Sequence, residues 1–315
     1  MSAAVGPLRI GLALAGPTDP QHSRAMLELA SWADAAELDS LWLPEHHFRS
    51  GATSSPLLML AAFAARTRRV RLATTSLLIT VRDPRRVAHE VASLDRLSNG
   101  RVVLGLGRGF DAKLLRAFGV DPRLKRDRFD AALDAILAIW AEARDDGARP
   151  LPVQQPHPPL MVAAFGPKAL AQAGRRGLPY LASPLETLDA LERNQALHHS
   201  ALPTEVDPRD LEVPVMRTVH VAGSRAETER VAAATDRDFA QLAARGAGVL
   251  STQAAGSGAA RSLIGEVGAI AEQLGCYRER LGMDLMVVRP APGTEPADVR
   301  RSLERLLERV IPALG

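Results

Sequence analysis

Short apolar runs alternate with stretches of helical periodicity along most of the chain. LRIGLAL (8–14) is a compact apolar run, and residues 21–37 then carry Met26, Leu27, Ala30, Trp32 and Ala33 at a spacing that puts them on one helix face. SLWLP (40–44) predicts a second strand, stopped by Pro44, and Pro56 is placed to start a helix reaching about Arg66. VRLATTSLLI (70–79) predicts a third strand. Asp83-Pro84 then reads as an N-cap with a first-turn proline, for a helix to Leu97 that Asn99-Gly100 closes. RVVLGLG (101–107) predicts a fourth strand, and a helix fits 127–141 on the stripe Phe129, Leu133, Ile136, Leu137, Trp140.

The same rhythm continues more loosely. Strands are predicted at 159–165, 178–183, 213–223 and 284–290, with helices at 168–175, 186–199, 225–242, 265–281 and 296–312. Eight buried strands, each followed by a helix, indicate a parallel sheet. The count suits an α/β fold of the (β/α)8 TIM barrel type, with a doubly wound sheet as the other arrangement. No composition break separates domains, so residues 1–315 read as one domain. The Gly-, Ala- and Ser-rich stretch 243–264 reads as a mobile insertion before the last helix–strand unit.

Composition narrows the function classes. Of 315 residues, 46% are hydrophobic and 24% charged, the balance of a globular enzyme rather than a disordered chain. The formal charge is only +3 and the basic residues are interspersed with acids, so no nucleic-acid stripe appears. No uncharged apolar stretch reaches the ~18 residues of a membrane span. Cys276 is the single cysteine, which excludes an intrachain disulfide and a cysteine-rich zinc site; it reads as buried packing. LRIGLALAG has a signal-like end but no basic leader, so a first strand and a cytoplasmic protein are expected.

Candidate chemistry gathers after predicted strands. Glu45-His46-His47-Phe48 follows strand two, where a barrel places its active site, and a histidine there can move a proton near neutral pH. Adjacent histidines on extended chain point opposite ways, so the pair is a poor metal site. GLGRGF (105–110) follows strand four: its glycines allow close backbone approach, and Arg108 offers a fork of donors to an oxyanion. The spacing is not that of a dinucleotide fingerprint. FGPK (165–168) opens a helix whose start can hold phosphate, with Lys168 adding charge. Arg126 and Arg128 read by default as a solvated charge run, and His198-His199 as surface residues. No serine elbow, metalloprotease motif or phosphate loop is present.

LWLPEHHF (41–48), SPLLMLAAFAARTRRVRL (55–72), DPRRVAHEVASLDRLSNGRVVLGLGRG (83–109) and GLPYLAS (177–183) resemble the bacterial luciferase-like flavin monooxygenase family, densely over about 40–140. The resemblance implies a TIM barrel that binds reduced FMN at the strand C-termini. It implies a homodimer formed through helices 56–66 and 84–97, and a separate flavin reductase as partner. His46 matches the family histidine beside the flavin, and Thr75-Ser76 the position where relatives carry a non-prolyl cis peptide under the ring. Gly107, Arg108, Gly109 and Arg128 match the phosphate end, Arg128 better than Arg126; Gly166 and Lys168 stand where relatives often offer a serine. Ala73 replaces a frequent glycine, and Gly107 stands where the luciferases carry a reactive thiol.

The activity implied by the resemblance is oxygenation of a small organic substrate by reduced FMN and O2 through a flavin C4a-hydroperoxide. A deazaflavin-dependent hydride transfer and a non-catalytic flavin-binding relative stay open. No metal is implied. The substrate is not readable, since loops 14–22, 109–126, 183–185 and 243–264 would shape its pocket.

Overall fold

The computed structural model describes residues 6–48, 51–146, 151–245 and 256–314. In chain order the elements begin β1 (Arg9–Ala13), α1 (Pro20–Ala35), β2 (Ser40–Leu43), α2 (Pro56–Ala64), β3 (Arg71–Thr74) and β4 (Leu77–Leu78). Then come α3 (Pro84–Ser98), β5 (Val102–Gly107), α4 (Ala112–Ala117), α5 (Lys125–Asp146), β6 (Leu160–Ala163), α6 (Pro167–Arg175), β7 (Tyr180–Leu181) and α7 (Leu188–His199). The chain continues with β8 (Pro214–Val221), α8 (Arg225–Arg245), β9 (Leu263–Gly265), α9 (Val267–Leu281), β10 (Leu285–Arg289) and α10 (Pro296–Arg305). Two compact units emerge: a central one, Leu14–Ala163, and a terminal one, Met1–Ala13 with Ala164–Gly315.

In the central unit β2 pairs with β3, β3 with β5 and β5 with β6, all parallel, while β4 lies along β5. Every residue of β2 and β5 is buried, which is why these strands read as unbroken apolar runs rather than as alternations. The caps expected for α3 are present: the Asp83 carboxylate accepts from Arg85 N and Arg86 N, and Asn99 turns left-handed at φ 58°. The expected third strand is interrupted. Thr75 N still donates to Leu43 O, but the Thr75–Ser76 peptide is cis and Ser76 O turns to Glu45 N, so pairing resumes only at β4. Part of the expected loop 109–126 is α4, capped by Asp111 and anchored by buried Leu114 and Leu115.

In the terminal unit β1 pairs with β10, β10 with β8 and β8 with β9, again parallel. The last two residues of the expected mobile stretch, Leu263 and Ile264, form β9 with Gly265, because Leu263 and Gly265 bury against β8 and Ala222 N donates to Gly265 O. Residues 243–245 extend α8, and 246–255 lie outside the described residues. Cys276 is exposed, not buried: α9 turns Ile270, Leu274, Tyr277 and Leu281 inward and leaves position 276 on the outer face. His198, expected at the surface, is buried, with Nε2 2.9 Å from Leu178 O.

A buried polar knot closes the loop after β7. Arg217 is fully buried; its Nε donates to Tyr277 Oη (2.9 Å), Nη1 to Met216 O (2.7 Å) and Ser183 O (3.2 Å), and Nη2 to Glu186 O (2.8 Å). The Glu186 carboxylate accepts from Ser183 N (2.7 Å) and from Asn194 Nδ2. Burial pushes this carboxyl up to about 7, against the lowering effects of the Ser183 amide and Arg217. The folded chain therefore keeps a proton that the unfolded chain releases near its ordinary value. Stability falls as pH rises from that value through about 7, by about 3 kcal/mol in full. Glu186→Gln is expected to flatten this fall: in thermal denaturation the variant gains on the wild type at pH 8 relative to pH 5. An equal difference at both pH values would refute the assignment.

Candidate functional site

The C-terminal ends of β2, β3–β4 and β5 carry most of the candidate residues. The segment after β2 is fixed by Glu45, which is only 4% exposed. Its carboxylate accepts from Leu78 N (2.8 Å) and from Arg82 Nη2 (2.9 Å), and one oxygen lies 2.8 Å from His47 Nε2. A buried carboxylate so partnered is a rigid anchor. His46 N donates to Thr53 O (3.0 Å), and the imidazole is half-buried. His46 is therefore held between two tied residues, with the cis Thr75–Ser76 peptide joined to its segment through Glu45 N.

At the end of β5 the backbone passes so close to Ser76 that a Cβ on Gly107 would lie 2.0 Å from Ser76 Oγ, so a side chain there would require the Ser76 hydroxyl to move. Thr80 Oγ1 donates to Arg108 O (2.9 Å), and Arg128 Nε donates to Thr80 O (3.2 Å). The Arg108 guanidinium is nearly buried, with Nη2 2.5 Å from Ala163 O and its carbon 5.5 Å from the Phe129 ring centroid. Burial, then repulsion from Arg126, brings Arg108 down to about 10, while Asp130 opposes the fall. Lys125 is also held below the usual lysine range, by burial and then by Arg108 and Arg126. Mutual repulsion among three cations marks a place where an anion is stabilised.

Thus His46, Thr75, Ser76, Gly107, Arg108, Gly109 and Arg128 all belong to the central unit, on segments leaving neighbouring strand ends. Gly166 and Lys168 belong to the terminal unit. There Gly166 takes φ 84°, a conformation natural to glycine, ahead of Pro167 at the first turn of α6, and Lys168 is exposed. Sequence reasoning named Glu45 without giving it a role, passed over Arg82 and Lys125, and ranked Arg126 below Arg128. In the structure the charge of Arg126 acts on Arg108 and Lys125. The Leu124-Lys125-Arg126-Asp127-Arg128 run was the available signal. Among the described residues no three His, Cys, Asp or Glu side chains are grouped to hold a metal, and no helix is long and apolar enough to cross a membrane.

The parallel α/β unit thus collects an imidazole, a glycine packed against its neighbour and clustered cations at its strand ends. Residues 9–284 match the family model for luciferase-like monooxygenases, and the chain belongs to that family. It is 32% identical over 221 residues to 4-hydroxyprotoasukamycin monooxygenase of Streptomyces nodosus subsp. asukaensis, covering 63% of this chain and 59% of that one. It is 29% identical over 227 residues to the oxygenase component of a flavin-dependent trigonelline monooxygenase of Acinetobacter baylyi, covering 67% and 63%. The chain thus spans about six-tenths of the length of these relatives. The monooxygenase RslO1 from Streptomyces bottropensis superposes with a TM-score of 0.82 at 25% identity, over 98% of this chain and all of that one. The oxygenating constituent of 3,6-diketocamphane monooxygenase from Pseudomonas putida, solved with FMN, gives 0.79 at 20% identity over 98% and 99%. The fold is that of the luciferase-like TIM-barrel proteins.

Proposed function

We propose that this protein is a flavin-dependent monooxygenase that uses reduced FMN and O2 to oxygenate a small organic substrate. The carrying observation is the group of Arg108, Lys125 and Arg126 at the end of β5, beside a glycine whose backbone lies against the Ser76 side chain. Arg108, with Arg128 behind it on Thr80, would hold the phosphate by charge-assisted hydrogen bonds. The bound flavin would supply the electrons and the activation of oxygen. The chain's own share is orientation, exclusion of water and proton handling. His46, fixed through its backbone to Thr53 and flanked by the Glu45 anchor, is the group that would hold or move a proton.

A separate reductase is the proposed source of reduced flavin, and the cytoplasm the proposed setting. A second copy is the proposed cover for the α2–α3 face, where Leu58 and Leu97 are exposed. The chain also shares its fold with coenzyme F420-dependent proteins, including an alcohol dehydrogenase (TM-score 0.73, 17% identity), so oxygen dependence is the deciding measurement. The expected result is FMN binding and oxygen uptake with reduced FMN. His46→Ala is expected to keep FMN affinity while turnover falls about 10²–10⁴-fold and peroxide replaces product. Oxygen-independent turnover, or an unchanged rate in that variant, would overturn the reading.

A further inference from the structure

Three rings stand together on the segments that carry His46 and Arg108. His47 and Phe118 meet edge to face at 4.9 Å between centroids; Phe48 lies 5.8 Å from each. Phe48 is 74% exposed and Phe118 40% exposed. Phe48 also takes φ 59°, an unfavourable conformation for a bulky residue. A cluster serving only local packing would bury Phe48; this one sets it outward at a conformational cost. One ring of the cluster is anchored, because His47 is tied to buried Glu45 and through it to Arg82 and Leu78 N.

The surroundings say what the rings face. In the central unit, the exposed large apolar side chains are Phe48, Leu58, Leu97, Phe110, Phe118, Leu124 and Val153. Four of them, Phe48, Phe110, Phe118 and Leu124, sit on the segments that follow β2 and β5. Leu58 and Leu97 lie on α2 and α3, the face proposed for a second copy. The exposed rings therefore lie on the same chain segments as the candidate residues, apart from the α2 and α3 positions. Ring faces left open in an edge-to-face cluster accept another flat ring in the same geometry.

We propose that His47, Phe48 and Phe118 form a landing for the substrate, and that this substrate carries a flat apolar ring system. The proposal rests on the monooxygenase reading for its chemistry, but ring binding can be measured without flavin. The probe is 2-naphthaldehyde, compared with octanal as a linear carbonyl compound, by equilibrium dialysis against the full chain with and without FMN. Two ring contacts set the expected loss: Phe48→Ala with Phe118→Ala weakens 2-naphthaldehyde binding about tenfold, whereas octanal changes by less than about twofold. The Phe48→Leu and Phe118→Leu pair gives an intermediate loss, and FMN affinity stays unchanged throughout. Equal 2-naphthaldehyde binding by wild type and the alanine pair overturns the landing. So does dissociation of a dimer in the alanine pair by sedimentation velocity, which would assign the rings to a subunit contact. Loss of reductase-driven turnover with ring binding intact would assign them to the reductase instead. Wild-type protein that fails to bind FMN yet shows the tenfold ring effect sinks the flavin reading and leaves the landing standing.

Discussion

Arg217→Met is expected to cost about 3–5 kcal/mol of stability, because the methionine fills the space but leaves buried partners unmet. Four hydrogen bonds end at once, and the carbonyls of Ser183, Met216 and Glu186 lose their donor. The guanidinium also lies 5.4 Å from the centre of the Tyr277 ring, so ring packing is disturbed as well. Loss of its positive charge leaves Glu186 more strongly neutral than before, since Arg217 is one of the influences lowering that carboxyl. Arg217→Lys should fail similarly, as one ammonium cannot reproduce the planar spread of donors. Urea midpoints followed by far-ultraviolet circular dichroism test this. A loss below about 1 kcal/mol would mean that the knot is not a stabilising element.

Arg108→Gln is expected to weaken FMN binding about 100-fold while leaving riboflavin affinity unchanged. The loss of one charge-assisted hydrogen bond, about 1.5–3 kcal/mol, sets the scale. Glutamine stays polar but is too short to reach Ala163 O, which the riboflavin control takes into account. Riboflavin lacks the phosphate, and comparison of the two ligands by fluorescence quenching separates phosphate recognition from general damage. Equal losses for both would move the phosphate elsewhere. Arg126→Gln should show the same selectivity with a smaller loss, since that side chain is exposed and its charge is screened.

Local signals in the sequence were sufficient for most of the fold. The Asp83-Pro84 start and the Asn99 end of α3, the apolar run of β5 and the stripe of α5 are decided by neighbours a few residues apart. The positions of Gly107 and Arg108 were legible for the same reason: an apolar run that ends in Gly-Arg-Gly marks where a strand stops. Features settled by distant pairing were not. The break between β3 and β4 depends on Glu45 N taking Ser76 O, a contact across the turn between strands. The Glu45–Arg82 pair joins positions 37 apart, and nothing near either residue announces it. β9 is too short to show a period and exists because β8 offers an edge. The buried state of His198 and the exposed state of Cys276 follow from how their helices are rotated, which local composition does not report.

Glu45 joins the amide of Leu78 in β4 to the His47 imidazole, itself one ring of the aromatic cluster. One carboxylate thus acts as a common fastening for a strand-end amide and one ring of the exposed cluster. A guest on those rings would meet a surface whose position is set from the strand side. Broader tolerance would come from loosening that fastening, at the expense of the register that keeps His46 in place.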